Sequence, residues 1–205
     1  MKKNFVSDDT SSIRMFKADW MEALSKVHFS VPLIIYIPVI LYFLYQAVFV
    51  VDASWQVLLM SLAGGLFFWT FTEYALHRFV FHFEPQSEWG RKLHFIFHGV
   101  HHDYPNDALR LVMPPSVSIP LATAFYFLFV WALPAAYVPG FFASFMTGYL
   151  FYDISHYALH HANFKNAFWK KLKNHHMRHH YADPSKGYGV SSALWDKIFK
   201  SDFQK

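Results

Sequence analysis

The chain has 205 residues, enough for one domain, and 54% of them are hydrophobic while only 16% are charged. Soluble domains carry about 25% charged residues, so much of this surface is expected to face lipid. The lack of cysteine excludes disulfides, a thiolate zinc site and an iron–sulfur cluster bound by this chain. The net charge of +4 lies beside long apolar runs with no basic recognition helix, which favours a membrane surface over nucleic acid as the partner.

Four apolar stretches have about the length needed to cross a bilayer. They cover residues 29–51, 55–76, 117–133 and 138–154, and the last two are near the lower length limit. Residues 1–28 precede the first stretch and lack the apolar core of a secretory signal. The sequence therefore predicts an all-α integral membrane protein with four transmembrane helices.

The distribution of charge predicts the orientation of these helices. All lysines and arginines lie in three segments, Lys2–Lys26, Arg78–Arg110 and Lys165–Lys205, and the two short hairpins 51–54 and 134–140 contain none. With four spans the three basic segments share one side, which the positive-inside rule makes cytoplasmic. Apart from His28, at the mouth of the first span, the histidines follow the same division.

This topology gives one membrane-embedded domain over residues 1–205, with both termini on the cytoplasmic side. Residues 77–113 and 155–205 are expected to form a helical cap there. The inner membrane of a bacterium is favoured as its location, or the endoplasmic reticulum membrane if the source is eukaryotic.

Ten of the 14 histidines form four groups with repeated spacings. The groups are His77 and His82 (H-x4-H), His98, His101 and His102 (H-x2-H-H), His156 and His160 (H-x3-H), and His176, His179 and His180 (H-x2-H-H). Residues three and four apart share a helix face, so H-x2-H-H is expected to point three imidazoles at one place. The H-x4-H pair is five residues apart, so its helix must distort or end near His82.

The number of histidines predicts a dinuclear metal centre. Ten imidazoles exceed the four ligands of a structural zinc ion, whereas two ions with about five ligands each account for all of them. Imidazole suits iron, zinc and copper, so the ligand type leaves the metal open. His94, His161 and His175 fall outside the spacing pattern, and His28 is interpreted as an interfacial anchor. Glu73 and Asp153 are predicted to orient imidazole rings by accepting hydrogen bonds from the ring nitrogens that do not bind metal. Asp103 is interpreted as a capping or surface residue.

The histidine groups and their flanks resemble the fatty acid hydroxylase superfamily of membrane di-iron enzymes, and most nearly the fatty acid 2-hydroxylases. The resemblance rests on HRFVFHF, HGVHHDYPNDALRLVMPP, YDISHYALHH and HHMRHHYADPSKGYGVSSALWDKIF, and covers residues 73–199. It implies that the ten histidines hold two iron ions, with zinc possible in purified protein. It also implies insertion of one oxygen atom from O2 at C2 of a fatty acid or of a sphingolipid N-acyl chain.

The resemblance also bears on the partners. Eukaryotic members often carry an N-terminal cytochrome b5 domain, for which the residues before the first span are too few. Electrons are therefore expected from a separate cytochrome b5-like or ferredoxin-like protein that docks on the basic cytoplasmic face. C2 lies beside the acyl carbonyl, so the polar head of a membrane lipid would sit near the metals. Candidates for holding this head are Tyr104, Arg110 and the turn of Gly187, Tyr188, Gly189 and Val190, although positive-inside anchoring and ordinary turn chemistry also explain these residues.

Three other functions fit parts of the pattern. A carotenoid or sterol-type hydroxylase and a lipid desaturase use similar histidine groups. A metal-binding membrane protein without catalysis, such as a transporter or sensor, would carry polar ligands along a pathway inside the membrane. The histidines are instead predicted to cluster at one membrane surface, which favours an enzyme.

Overall fold

The computed structural model describes residues 6–203, and within that range the secondary structure is entirely helical. The all-α prediction is confirmed. The shorter helices are α1 (Asp19–Ser25), α4 (Glu88–His94), α5 (Val100–Asp103), α8 (Ala167–Tyr181) and α9 (Leu194–Ile198). The longer helices are α2 (Ser30–Tyr45), α3 (Trp55–Ala75), α6 (Pro115–Ala132) and α7 (Val138–His161). Wider π-helical turns extend α2 over Gln46–Val50, extend α3 over Leu76–Phe81, and join α4 to α5 over Phe95–Gly99.

Three helical segments are long and apolar enough to cross a membrane. They are Ser30–Val50, Trp55–Phe81 and Pro115–Ala132. They correspond to the first three predicted spans, and the second continues past its predicted end. Large apolar side chains cover their outer surfaces: Phe49 is 71% exposed and Trp131 is 83% exposed. Such a continuous apolar exterior is what a bilayer solvates and water does not.

Helix α7 holds the other long helices together. It contacts α2, α3 and α6, and most of its side chains between Val138 and Leu159 are buried. Its C-terminal part carries Asp153, His156 and His160, so its composition is more polar than that of the three apolar segments. The polar end of α7 is thereby placed beside the C-terminal end of α3.

Glycines allow α3 and α7 to approach closely. A Cβ atom on Gly65 would lie 2.2 Å from the Phe141 carbonyl oxygen, and one on Gly148 would lie 2.5 Å from the Trp69 ring. Around these contacts the core is aromatic, with Trp69 and Phe145 packed edge to face at 5.2 Å between ring centroids. The close approach keeps the two histidine-bearing helix ends side by side.

We expect Gly65→Ala to lower the free energy of unfolding by about 1–3 kcal/mol, because the added methyl group meets backbone that cannot move aside. The neighbouring Gly64→Ala is the matched control, since its methyl group would meet only the edge of the Phe141 ring, at 3.2 Å. Thermal unfolding in detergent would measure both variants. Equal melting temperatures for the two would contradict this account of the helix contact.

Candidate metal centre

The ten patterned histidines converge in two groups of five, in which one nitrogen of each ring lies within 4.8 Å of those of the other four. The first cluster consists of His77, His82, His98, His102 and His179. The second cluster consists of His101, His156, His160, His176 and His180. The four remaining histidines, His28, His94, His161 and His175, belong to neither cluster. Each cluster has the ligand type and number to hold a metal ion.

The distortion predicted for H-x4-H is present at the end of α3. The His82 N–H donates to the His77 carbonyl at 3.1 Å, a bond that spans five residues instead of four. This wider turn brings the two rings to 4.9 Å between centroids. A regular α-helix would separate them by about 140° around its axis. The π-helical turn is therefore what places both rings in the first cluster.

The two H-x2-H-H triplets do not each point at one place, which corrects the sequence prediction. His98 and His102 enter the first cluster, whereas His101 enters the second. The assignment is reversed on α8, where His176 and His180 enter the second cluster and His179 the first. Adjacent residues on a helix diverge by about 100°, so the two neighbouring histidines of each triplet must face different ways. Each segment that carries a triplet thus contributes to both clusters and holds them side by side, with the His102 and His180 rings 4.3 Å apart.

Backbone carbonyls determine which ring nitrogen faces inward. Nδ1 of His77 donates to the Tyr188 carbonyl, and Nδ1 of His179 donates to the Lys186 carbonyl at 2.7 Å. Because a carbonyl oxygen can only accept, the proton of each neutral ring is on Nδ1 and its Nε2 carries a lone pair. Both Nε2 atoms point into the first cluster.

The inward nitrogens lie at the separations expected for ligands of one ion. The Nε2 atoms of His77, His82 and His98 form a triangle with sides of 3.1–3.2 Å. Two ligands about 2.1 Å from a metal ion and at right angles to each other are about 3 Å apart. Three nitrogens cannot all hydrogen-bond to one another when one of them has only a lone pair, whereas a cation between them satisfies all three.

The second cluster shows the same arrangement. Nε2 of His176 lies 2.9 Å from that of His160 and 3.1 Å from that of His180. Both ring nitrogens of His101 and Nε2 of His156 are buried without a hydrogen-bond partner among the described residues. Buried polar atoms without partners are rare and costly, and a bound ion is one of the groups that explains them. The residues present therefore fit a metal ion in each cluster.

Burial keeps these imidazoles neutral. Removal from water lowers the pKa of His98, His101 and His176 well below the usual value. It also lowers the pKa of His82 to about 2 and that of His179 to about 4. Neighbouring imidazoles act in the same direction at His82, because each disfavours a positive charge on the other. At neutral pH the rings therefore present lone pairs, as metal ligands must.

Two carboxylates hold the loop that orients the rings. Glu73 accepts hydrogen bonds from the N–H groups of Val190 and Ser191, both at 2.8 Å. Asp196 accepts from the N–H groups of Tyr188 and Gly189. Glu73 was predicted to bind an imidazole ring directly, but it binds the loop whose carbonyl groups orient the rings. Sequence reasoning missed Asp196, which is fully buried. This residue does not belong to any of the histidine groups, so the spacing pattern gave no signal for it.

The other candidate residues have different surroundings. Asp153 accepts from the Met113 N–H at 3.1 Å and from the Tyr149 hydroxyl at 3.3 Å, so within the described residues its bonds go to other groups than the imidazoles. The half-buried Asp103 and Tyr104 lie at the end of α5, and the carbonyl of Tyr104 accepts from the Asp107 N–H. The turn of Gly187, Tyr188, Gly189 and Val190 is the loop just described, with Gly187 in the left-handed region at φ 71°.

Arg110, a candidate for holding the substrate head, is engaged by carboxylates of the protein. Its guanidinium lies 2.7 Å from Glu22 and 3.3 Å from Asp107. All three side chains are less than a tenth exposed. The charge of Arg110 is therefore already neutralised inside the protein.

An apolar cavity of about 330 Å³ lies against both clusters. Its wall includes His98 of the first cluster, and His101 and His156 of the second. Most of the remaining wall is formed by apolar side chains of the N-terminal segment, of the turn between α4 and α5, and of residues 111–117. A largely apolar cavity with a few polar groups at one end is typical of a site for an amphipathic small molecule.

Apolar membrane-length helices that lead into two five-histidine clusters define a metal-binding integral membrane enzyme. The fatty acid hydroxylase family matches this chain over residues 62–201, and the chain belongs to that family. It is a hydroxylating oxidoreductase. This agrees with the resemblance found in residues 73–199.

Individual relatives agree with this assignment. Dihydroceramide fatty acyl 2-hydroxylase FAH1 of Arabidopsis thaliana is 38% identical over 91% of this chain and 78% of its own length. Fatty acid 2-hydroxylase of Mus musculus is 37% identical over 91% of this chain and 56% of its own length. In three dimensions the chain is similar to the hydroxylase domain visible in full-length scs7p, with a TM-score of 0.85 at 36% identity, covering 90% of this chain and 70% of that one.

We expect Asp196→Asn to weaken metal retention about ten- to a hundredfold, because one acceptor oxygen becomes an amide that faces backbone N–H groups. Chelator titration of the metal-loaded protein would measure the change. Asp202→Asn is the matched control, because Asp202 lies 3.6 Å from His175 but has a side chain that is 32% exposed, unlike the buried Asp196. Metal retention that is equally strong in both variants and in the parent protein would refute the role given to the loop.

Proposed function

We propose that this protein hydroxylates C2 of a lipid acyl chain with O2, using two iron ions, one held by each histidine cluster. The observation that carries the proposal is the apolar cavity whose wall includes histidines of both clusters. An acyl chain in that cavity would lie directly beside the metal ligands. The Arabidopsis relative is named a dihydroceramide fatty acyl 2-hydroxylase, which supports C2 as the position.

Two iron ions held by the histidine clusters would supply what side chains cannot, namely the activation of O2 that is needed to attack an unactivated C–H bond. The protein contributes ligand geometry and the exclusion of water. The buried imidazoles and the apolar wall of the cavity perform these two tasks. Hydroxylation of one C–H bond consumes one O2, two electrons and two protons, and releases one water.

The proposed substrate is the N-acyl chain of a sphingolipid in preference to a free fatty acid. The name of the Arabidopsis relative, a dihydroceramide fatty acyl 2-hydroxylase, supports this choice. The positive charge of Arg110 in the cavity wall is paired with Glu22 and Asp107, so it is not available to bind a free carboxylate.

The electrons come from a separate cytochrome b5-like or ferredoxin-like protein in this proposal. The exposed residues Lys170, Lys171 and Arg178 lie on α8, the helix that carries three of the cluster histidines. This positive surface suits an acidic redox partner and would raise the rate of encounter. The partner would thus dock within a short distance of the metal centre.

The proposed topology has four spans, with α7 as the fourth, in a single domain over residues 1–205. Its support is the packing of α7 along α2, α3 and α6, together with hairpins free of lysine and arginine at one end of the bundle. The cap of residues 77–113 and 155–205 then lies on the cytoplasmic side by the positive-inside rule. The inner membrane of a bacterium, or the endoplasmic reticulum membrane of a eukaryote, is the proposed location.

Expression in a host that lacks 2-hydroxylated lipids tests the reaction. We expect mass spectrometry of the hydrolysed lipids to show acyl chains that have gained one oxygen atom at C2, with the oxygen derived from labelled O2. His179→Ala should abolish this product, because it removes a ring from the first cluster. A new double bond or an oxidised carotenoid in place of the 2-hydroxy product would overturn the proposal in favour of another histidine-rich oxygenase.

Elemental analysis of purified protein tests the two-ion centre. We expect two metal ions per chain in the parent protein and about one in His160→Ala, since that variant removes a ring from the second cluster alone. His161→Ala is the matched control, because the adjacent His161 is exposed, packs against the Tyr157 ring and lies in neither cluster. One ion in the parent, or the same loss in both variants, would rule out one ion in each cluster.

A further inference from the structure

The cavity beside the metal clusters is closed in part by the N-terminal segment. Residues 12–25, which we call the N-terminal wall, contribute Met15, Phe16, Trp20, Met21, Leu24 and Ser25 to its lining. These residues lie outside the part of the chain that matches the fatty acid hydroxylase family, which begins at residue 62. The reaction site is therefore completed by a segment that the family match does not cover.

The N-terminal wall is attached to the cap by a buried polar network centred on Arg110. Besides its ion pairs with Glu22 and Asp107, Arg110 donates to the Ile13 carbonyl at 2.6 Å and to the Ser25 hydroxyl at 2.9 Å. One guanidinium thus joins the start of the wall, at Ile13, to its end, at Glu22 and Ser25. Its planar, forked donors suit such a clamp, which a lysine could not reproduce.

Further bonds hold the wall in the same position. The Ser12 hydroxyl donates to Asp107 at 2.6 Å, and the Val27 N–H donates to the Leu109 carbonyl at 2.8 Å. The Glu22 carboxylate also accepts from the N–H groups of Met15 and Phe16, which keeps the wall folded back on α1. The position of the wall is therefore specified by polar contacts, while its apolar side chains remain available to the cavity.

The apolar side chains of α1 continue from the cavity to the exterior. Trp20 is 68% exposed, Leu24 is 54% exposed and Met21 is 37% exposed, although all three line the cavity. Phe97, on the turn between α4 and α5, also lines the cavity and is 51% exposed. An acyl tail leaving the metal centre would meet this apolar path before it reaches lipid.

We propose that the N-terminal wall is a specificity-determining part of the acyl site, in which Met21 and Leu24 contact the acyl tail and Arg110 positions the wall. This inference rests on the proposed 2-hydroxylation. It assigns Arg110 the task of holding the wall of the site, in place of the direct grip on the substrate head expected from sequence.

Leu24→Trp tests the contact with the tail. A larger side chain at this position narrows the path, so we expect the 2-hydroxy products to shift toward shorter acyl chains and the KM for long-chain substrate to rise several-fold with kcat little changed. Leu41→Trp is the matched control, because Leu41 is 60% exposed on α2 and lies outside the cavity wall. Because Leu24 is half exposed, the larger side chain does not disturb the core, and metal content measured on the same samples checks that the variant is folded.

Arg110→Gln tests the attachment of the wall. We expect kcat/KM to fall at least about tenfold, since removing one partner of a buried ion pair strands the other charges. Metal content should be unchanged, and trypsin should cleave after Arg14 and Lys17 faster than in the parent protein. Lys92→Gln, which removes an exposed positive charge from α4 outside the wall and the cavity lining, is expected to leave kcat/KM and the cleavage rate unchanged.

The outcomes separate this inference from the proposed function. If the parent protein makes 2-hydroxy lipids but Leu24→Trp leaves the chain-length distribution of the products unchanged, the wall has no role in specificity. If Arg110→Gln loses activity without faster cleavage of the wall, Arg110 acts elsewhere and the attachment is refuted. If the parent makes no 2-hydroxy lipid, the proposed function fails first, and faster cleavage in Arg110→Gln still reports on the attachment.

Discussion

The structure depends on ten largely buried, neutral imidazoles that converge in two clusters. Such an arrangement is unfavourable by itself, since ring nitrogens at 2.9–3.2 Å cannot all be satisfied by hydrogen bonds among themselves. It is maintained because backbone carbonyls of the loop after α8 accept hydrogen bonds from the Nδ1–H groups of His77 and His179. Two buried carboxylates in turn hold that loop in place. A cation bound in each cluster would compensate for this burial, and folding and metal binding would then be coupled.

The long helices position the histidine clusters by controlling helix register. Gly65 and Gly148 let α3 and α7 approach until their polar ends are adjacent, and the π-helical turn after Ala75 then rotates His82 over His77. An α-helix with the same sequence would place one of the two rings away from the cluster. A wider turn is costly in isolation and is common at functional sites for this reason.

Much of the fold and of the site was predictable from local patterns, and the remainder depends on long-range contacts. Apolar length located the three helices that are long and apolar enough to cross a membrane, and repeated spacing selected the ten histidines that converge. Each H-x2-H-H triplet is divided between the two clusters because histidines from other helices lie on both sides of it. The sequence does not show these neighbours, so the division was not predicted. Asp196 and the ion pairs of Arg110 join residues far apart in the chain, and no spacing rule connects such residues.

The contrast between the two sides of the acyl cavity has a physical basis. On the metal side the rings of His77 and His179 have one acceptable orientation, because Nδ1 of each donates to a backbone carbonyl while its Nε2 faces the first cluster. On the opposite side the N-terminal wall lines the cavity with apolar side chains. Contacts between apolar groups are non-directional, so they depend on the size of the side chains more than on their exact orientation. A wall attached through one polar network, at Arg110, can change its apolar residues without disturbing that network or the imidazoles. Chemistry and substrate fit are therefore carried by separate parts of the chain, the first by a rigid cap and the second by a segment that packs against it.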